Sequence, residues 1–538
     1  MKNYIPEISK LIRQKKIVVF YGAGISKNSG LPLANELAQL ILKKLCINDT
    51  DKDEILNSAL PFEAFIEIIS RNTDVSSILE VFEKGEPNIN HAFIAKMAKN
   101  RFIRIIVTTN FDLLIEKALE KEGLKRDKDF TVYYNENQFS KIDLADTKNK
   151  SIIILKIHGS IENKESIRVT METIASETPS DPMAYLIRYL FLTGKHKKVL
   201  ILGYSCSDEF DITPNIQDIV ENPKKEIIFV EHSKEGIEIE DVRMKKWKNP
   251  FKAFRGERIK CNTDDFIREL WNFHRRSAGE YNLVEFDVDW ETYVDCWAKK
   301  LKENKKYFIV GLIFYEISIF KKGIDYFEKS LLAAKEKGDA LSEAECYIKL
   351  ANIYDDLENS KKAIEYGEKA LEIAKRKGDT LQESESYIRL ANIYYNKNPP
   401  KAINYLDNAL EIAIKNGHKA VELEYFISLA TFSREAIAIE YWEAALEIAK
   451  KIGNKNKEAL CYRGLGYVYY HLKNFNRAIE YFLNAEKALK ITGQSYILRV
   501  SIYSYLVLAY EKIEDYENAE KYKKLATNTQ NKFGVNSG

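Results

Sequence analysis

Four short segments hold the residues of this chain best placed to do chemistry, and each follows an apolar run. The first is glycine-rich: Val18-Val-Phe-Tyr-Gly22-Ala23-Gly24-Ile-Ser26-Lys-Asn-Ser-Gly30-Leu-Pro32. The second is Val107-Thr-Thr-Asn110-Phe-Asp112, and the third is Leu155-Lys-Ile-His158-Gly159-Ser160. The fourth, Ile201-Leu-Gly203-Tyr-Ser205, runs on to Asp208. A glycine turn between a strand and a helix lets the backbone approach a diphosphate, and a helix N-terminus offers free N–H groups. The spacing is not the usual dinucleotide fingerprint, because Gly24 is followed by Ile-Ser-Lys and the third glycine comes late, at Gly30. An imidazole that titrates near neutrality is a natural general base. Glu231, at the end of a fifth apolar run, could accept hydrogen bonds from ribose hydroxyls. Plainer readings stand beside these. The glycines can make a tight connection, Asp112 can cap the helix beginning at Leu113, His158 can cap a turn, and Glu231 can be a solvated strand end.

These segments need a scaffold that gathers them. Short apolar runs with β-branched content cover Ile17 to Tyr21, Ile103 to Thr109, Ile152 to Ile157, Val199 to Tyr204 and Ile227 to Glu231. Such runs read as strands buried on both faces, as in a parallel sheet. Helical patterns separate or follow them at Leu33 to Leu45, Leu113 to Lys121, Pro182 to Leu192 and Asp264 to His274. The alternation predicts a doubly wound α/β domain. Its C-terminal strand ends would lie along one edge, where open α/β sheets bind ligands.

Composition narrows the class. A chain of 538 residues exceeds one ordinary core, so at least two domains are expected. With 82 basic and 80 acidic residues, the net charge gives no reason to expect nucleic acid. Six scattered cysteines, none in a CxxC pair, argue against a disulfide framework or a thiolate zinc site. The apolar run near the N-terminus is too short for a signal peptide, and no stretch is apolar enough to span a bilayer. A cytoplasmic protein is the resulting expectation.

After about residue 300 the strand runs stop and one pattern recurs. It begins at Gly323, Ala363, Ala402, Ala438 and Ala478, as in Ala363-Ile-Glu-Tyr-Gly-Glu-Lys-Ala-Leu, and weakly at Ala519. A partner motif precedes the later copies: Leu350-Ala-Asn-Ile-Tyr, Leu390-Ala-Asn-Ile-Tyr and their like. Gly338, Gly378, Gly417 and Gly453 fall where the second helix of each pair should end, the usual place for a left-handed cap. This half resembles tetratricopeptide repeats of the longer type over about residues 305 to 527. Its tyrosines and leucines are expected in the core, and its concave face is expected to bind a protein or peptide.

Across residues 15 to 235 the chain resembles the sirtuin superfamily. The matching motifs, in order, are Gly22-Ala-Gly24-Ile-Ser26 with Ser29-Gly-Leu-Pro32, then Pro87 and His91, Thr109-Asn110-Phe-Asp112, His158-Gly159, and Gly203-Tyr-Ser205. The resemblance implies roles. Gly22, Ala23, Gly24 and Ser26 would hold the diphosphate of NAD, with Gly203 and Ser205 in a second cofactor loop. Asn110 would position the attacking water or nucleophile, Asp112 would grip the nicotinamide carboxamide, and His158 would be the catalytic histidine. His91 falls at a position associated with packing. Such roles suit cleavage of a glycosidic bond to cationic nicotinamide through an oxocarbenium-like state.

The departures matter equally. Deacylating sirtuins carry four zinc-binding cysteines after the histidine motif, and this chain has none between His158 and Tyr204. Leu33-Ala34-Asn35 replaces the family's Asp-Phe-Arg, and Thr109 replaces its glutamine. This trimmed pattern resembles bacterial defence-type enzymes that hydrolyse NAD to nicotinamide and ADP-ribose. The expected architecture is therefore a Rossmann-like, sirtuin-like catalytic domain over 1–280, a linker or capping helix over 281–304, and an all-α solenoid over 305–530. The expected function is an NAD glycohydrolase, an anti-phage effector governed by its repeats. It would take NAD as substrate, need no metal, bind a protein or peptide trigger, form a homo-oligomer, and avoid membranes. An NAD-dependent protein deacylase and a non-catalytic NAD or ADP-ribose sensor stay open as alternatives.

Overall fold

A computed structural model describes residues 4–533 apart from 46, 59, 61, 145–150, 168–180, 207–211, 218, 220–224, 234–235, 244–249, 276–285, 287 and 493–495. Asp208 of the fourth motif lies outside the described residues. The described chain divides into two units. One comprises Met1–Leu40, Asp74–Val169 and Pro179–Trp297, and the other includes Ile41–Thr73 with Ala298–Gly538.

The first unit is built on an eight-stranded sheet. Its strands are β1 (Ile17–Tyr21), β2 (Ile105–Thr108), β3 (Phe130–Tyr133), β4 (Ile152–Lys156), β5 (Lys198–Leu202), β6 (Glu226–His232), β7 (Glu238–Asp241) and β8 (Arg255–Cys261). Their order is β3-β4-β2-β1-β5-β6-β8-β7. All pairings are parallel except that of β7 with β8. Alternate residues of the central strands feed two cores: Ile17, Val19 and Tyr21 of β1 pack on one face, Val18 and Phe20 on the other. Burial on both faces is why these strands read as unbroken apolar runs. The chain leaves β1 toward β2 and β4 on one side and continues through β5, β6 and β8 on the other. That reversal makes the carboxyl end of β1 a topological switch point, the place where open α/β sheets bind ligands.

All five expected strands form, and the helices Ala34–Lys44, Leu114–Lys121, Asp181–Arg188 and Thr263–Phe273 fall where the periodicity put them. The short β3 and the charged β7 and β8 were not anticipated. Arg255-Gly-Glu-Arg-Ile-Lys-Cys has no apolar run to announce it. It is held by pairing with β6 and β7 rather than by its own pattern. Within the expected linker, the helix Glu291–Lys300 forms, and Trp290 and Tyr293 pack against buried Leu31, Val81 and Leu114.

Among the described residues the second unit holds six helical pairs, from Glu303–Glu316 with Phe320–Glu336 to Tyr496–Lys512 with Tyr516–Phe533. Gly338, Gly378, Gly417 and Gly453 all adopt positive φ, from 64° to 72°, at the expected caps. The recurring tyrosines pack as foreseen. Tyr354 stacks on Tyr366, Tyr469 on Tyr481 and Tyr510 on Tyr522, with centroids 5.3 to 5.8 Å apart. A cation sits over several of these rings, Lys362 at 4.6 Å from Tyr354 and Arg477 at 5.3 Å from Tyr469. Helices Asp49–Leu56 and Phe62–Ser70 join this unit. Asp51 accepts hydrogen bonds from Lys322 Nζ at 2.5 Å and Tyr326 Oη at 2.7 Å.

Candidate active site

Two backbone loops meet at the carboxyl ends of β1 and β5. Gly22 N–H donates to Leu202 O at 3.0 Å, and Gly24 N–H donates to Gly203 O at 2.9 Å. The approach is tight enough to exclude a side chain. A Cβ on Gly24 would lie 2.8 Å from both Cα and O of Gly203, and Gly203 itself has φ +57°. The first glycine motif and the Gly203-Tyr204-Ser205 loop are thus one packed unit. The chain after Gly22 does not enter the expected helix directly. It forms two short 3-10 turns, Ala23–Ile25 and Lys27–Ser29, and the α-helix begins only at Ala34. The N–H groups nearest the glycines therefore belong to these turns rather than to an α-helix N-terminus.

β2 and β4 deliver the next two motifs side by side. Thr108 and Lys156 are register partners, so Asn110 and His158 each stand two residues past the same rung. Beyond the strands, Ile161 N–H donates to Phe111 O at 2.8 Å and ties the two turns together. His158 is half-buried and Ser205 exposed, while Asn110 and Asp112 are buried.

Around Asp112 the structure assembles a buried polar network. Asn110 Nδ2 donates to Ser26 Oγ at 3.0 Å and to Asp112 Oδ2 at 3.1 Å. Ser26 Oγ donates to Asp112 Oδ2 at 3.0 Å. Asp112 Oδ1 accepts from Leu114 N–H at 3.0 Å, the first residue of the helix Leu114–Lys121, although the N-cap position itself is Leu113. The Asn110 amide nitrogen is therefore spent inside the protein. Its oxygen, Oδ1, is buried and has no partner among the described residues. A buried amide oxygen in that condition is an acceptor waiting for a donor.

His91, set aside as packing in the sequence, belongs to this network. Asn88 is oriented by two bonds, Nδ2 to Ile25 O at 2.6 Å and Oδ1 from Asn90 N–H at 3.0 Å. Asn88 Oδ1 must then accept from His91 Nδ1 at 2.9 Å, which puts the ring proton on Nδ1. Burial lowers the His91 pKa to about 4, against the pull of Asp112 and Asp264, so the ring is neutral near pH 7. Its Nε2 lone pair faces Ser26 Oγ at 3.3 Å. The single Ser26 proton thus has two acceptors, and the carboxylate is the nearer.

Lys156 and Glu116 were also missed. Lys156 is fully buried and pairs with Glu116 at 2.8 Å. Burial pushes the Glu116 carboxyl up, opposed by the Lys156 charge. A lysine closing the strand Ile-Ile-Ile-Leu-Lys was the available signal, because a doubly covered sheet has no solvent for it. Glu231 behaves differently from the other candidates. Its carboxylate is engaged by the Arg258 guanidinium, which also holds Glu240 at 2.6 Å. Among the described residues, no group of three His, Cys, Asp or Glu side chains could hold a metal ion. None of their helices is long and apolar enough to cross a membrane.

Comparisons with known proteins meet this geometry. Residues 104–249 match the SIR2-like domain family, and 311–376 and 433–492 match the tetratricopeptide repeat. The NAD(+) hydrolase ThsA of Acinetobacter baumannii (strain 532279) is 30% identical over 223 residues, 41% of this chain and 41% of that protein. The NAD(+) hydrolase ThsA of Bacillus cereus (strain MSX-D12) is 27% identical over 220 residues, 40% and 42% respectively. The matches therefore span about two fifths of these curated relatives. A signal-transduction ATPase with a tetratricopeptide repeat sensor from Pyrococcus horikoshii has a TM-score of 0.36 at 16% identity. That alignment covers 99% of this chain and 83% of its own.

Proposed function

We propose that this chain, a SIR2-like domain joined to C-terminal tetratricopeptide repeats, is an NAD glycohydrolase releasing nicotinamide and ADP-ribose. The observation that carries the reading is the unpartnered Asn110 Oδ1, buried beside a carboxylate at the sheet's ligand edge. Because Ser26 and Asp112 hold the amide nitrogen, the oxygen is left as a fixed, buried acceptor. A water donating to it would be oriented with a lone pair free to attack. His158, on the neighbouring strand end, is the group to remove the second proton of that water. Asp112 keeps room on Oδ1 for one more donor, such as a carboxamide N–H. Gly22, Ala23, Gly24 and Gly203 would bring backbone against the diphosphate, with Ser26 and Ser205 beside it. Glu231 would use the oxygen left free by Arg258 to meet a ribose hydroxyl. The relatives' names support hydrolysis of NAD over deacylation.

The wider biology follows from the same reading. An enzyme that drains NAD needs restraint, and repeats with a concave face suit recognition of a protein or peptide trigger. We assign the protein to anti-phage defence as a cytoplasmic, oligomeric effector whose repeats license hydrolysis. The test is nicotinamide release from NAD by intact protein, beside Asn110→Ala and His158→Ala. Overexpression toxicity is scored in parallel, so that a restrained resting form is still detected. Both substitutions should lower release at least 100-fold, a typical value of positioned acid–base catalysis being about 10² to 10⁴. Wild-type rates in either variant, or acetyl-ADP-ribose in place of free ADP-ribose when an acetylated peptide is supplied, would refute it.

A further inference from the structure

Lys156 presents a physical problem. Its strand is otherwise isoleucine and leucine, packed on both faces, and its side chain is fully buried. Replacing a buried ion pair by apolar residues of similar volume is often neutral or stabilising. Stability alone therefore gives no reason to keep a lysine there. The geometry supplies another. An ammonium group carries three donors, and three acceptors meet this one: Asp112 main-chain O at 2.5 Å, Glu116 Oε1 at 2.8 Å and Ser160 Oγ at 3.1 Å. Asp112 O belongs to the turn that carries Asn110. Ser160 belongs to the turn that carries His158. Glu116 lies on the helix Leu114–Lys121, whose first N–H donates to Asp112 Oδ1.

The contact to Asp112 is to its peptide oxygen, so it fixes the backbone plane rather than competing for the carboxylate. Ser160 is anchored further, because its N–H donates to Ser166 Oγ at 3.0 Å. The backbone bond from Ile161 N–H to Phe111 O crosses the same gap. The two turns are thus stitched by one backbone bond and one buried ammonium.

We propose that Lys156 is a positioning residue that clamps the Asn110–Asp112 turn to the His158–Ser160 turn, with Glu116 as its charge partner. It touches no reacting atom. It sets the separation of the two groups that do, and in that consequence it rests on the NAD-hydrolase reading. The clamp itself can be measured without that reading.

The experiment compares full-length wild type with Lys156→Met, Lys156→Met/Glu116→Leu and Ser160→Ala. Hydrogen–deuterium exchange is followed in peptides covering residues 108–116 and 156–161, with β5 and β6 as internal references. Thermal midpoints and nicotinamide-release kinetics accompany it. Lys156→Met strands the Glu116 charge, so its midpoint should fall. The double variant removes that charge and should recover the midpoint. It should nevertheless keep faster exchange in both turns and a kcat about 100-fold below wild type with KM little changed, because displacement of about 1 Å is enough for such a loss. Ser160→Ala should loosen only 156–161. If Lys156→Met fails to fold, the double variant and Ser160→Ala carry the test. Wild-type exchange in both turns of the double variant, or wild-type kcat, overturns the clamp. If wild type and all variants leave NAD intact in every state tried, the hydrolase reading fails and the exchange data still decide the clamp.

Discussion

His91 shows how much can hang on one buried ring. It is fully buried, its Nδ1 proton is committed to Asn88, and its Nε2 lone pair faces the serine that bridges Asn110 and Asp112. Its pKa is about 4 in the fold against an ordinary 6.5. As pH falls from neutrality the unfolded chain takes up a proton first, so the folded state loses ground between about 6.5 and 4 and keeps the whole contribution above 6.5. His274, hydrogen-bonded to Ser9 at 2.7 Å, is lowered by burial to about 4 and acts in the same direction. A shift of this size corresponds to about 3 kcal/mol per group. Urea midpoints at pH 7.5 and pH 5 should therefore fall more steeply for wild type than for His91→Gln. Equal slopes would mean that the ring is not held neutral.

Among the elements, the two loops after β1 and β5 approach each other too closely for side chains. The carbonyl of Gly203 accepts from Gly24 N–H, and neither residue has space for a methyl group. Gly24→Ala should cost about 1 to 3 kcal/mol as an overpacked contact and weaken NAD binding with it. Gly378 makes a useful contrast. Its φ is +69°, but a Cβ there meets nothing within 4 Å. Gly378→Ala should cost about 1 kcal/mol of helix-cap strain and leave NAD binding unchanged. Calorimetric titration with NAD, beside thermal unfolding, separates the two cases. Unaltered NAD affinity in Gly24→Ala would remove the loop from the binding site.

At the scale of the whole molecule, the division of the chain is not the division of the sequence. Residues 41–73 follow the glycine loop, yet they pack with the repeats through Lys322, Tyr326 and Lys305, the last donating to Asn72 at 3.3 Å. Cutting after Trp297 would leave Ile55, Phe65, Ile66 and Ile69, all buried in the intact protein, without part of their cover. Exposed apolar surface of that kind promotes association. A fragment of residues 1–297 should elute as aggregate or unfold well below the first transition of the intact chain. A monomeric fragment with an unchanged midpoint would show that the repeats contribute nothing to that region.

The sequence by itself determined the parallel sheet, the repeats, the glycine caps and the placement of Asn110, Asp112 and His158 just past strand ends. Each announces itself over a few neighbours, as an apolar run, a fixed period or a polar residue just past a strand. Only the tertiary structure decided that His91 joins Ser26, that Lys156 spans two turns, that Arg258 occupies Glu231, and that residues 41–73 pack with the helical half. Those facts depend on side chains from distant stretches meeting in a medium without water. There a lone polar group must find a partner, and no local pattern says which partner it finds.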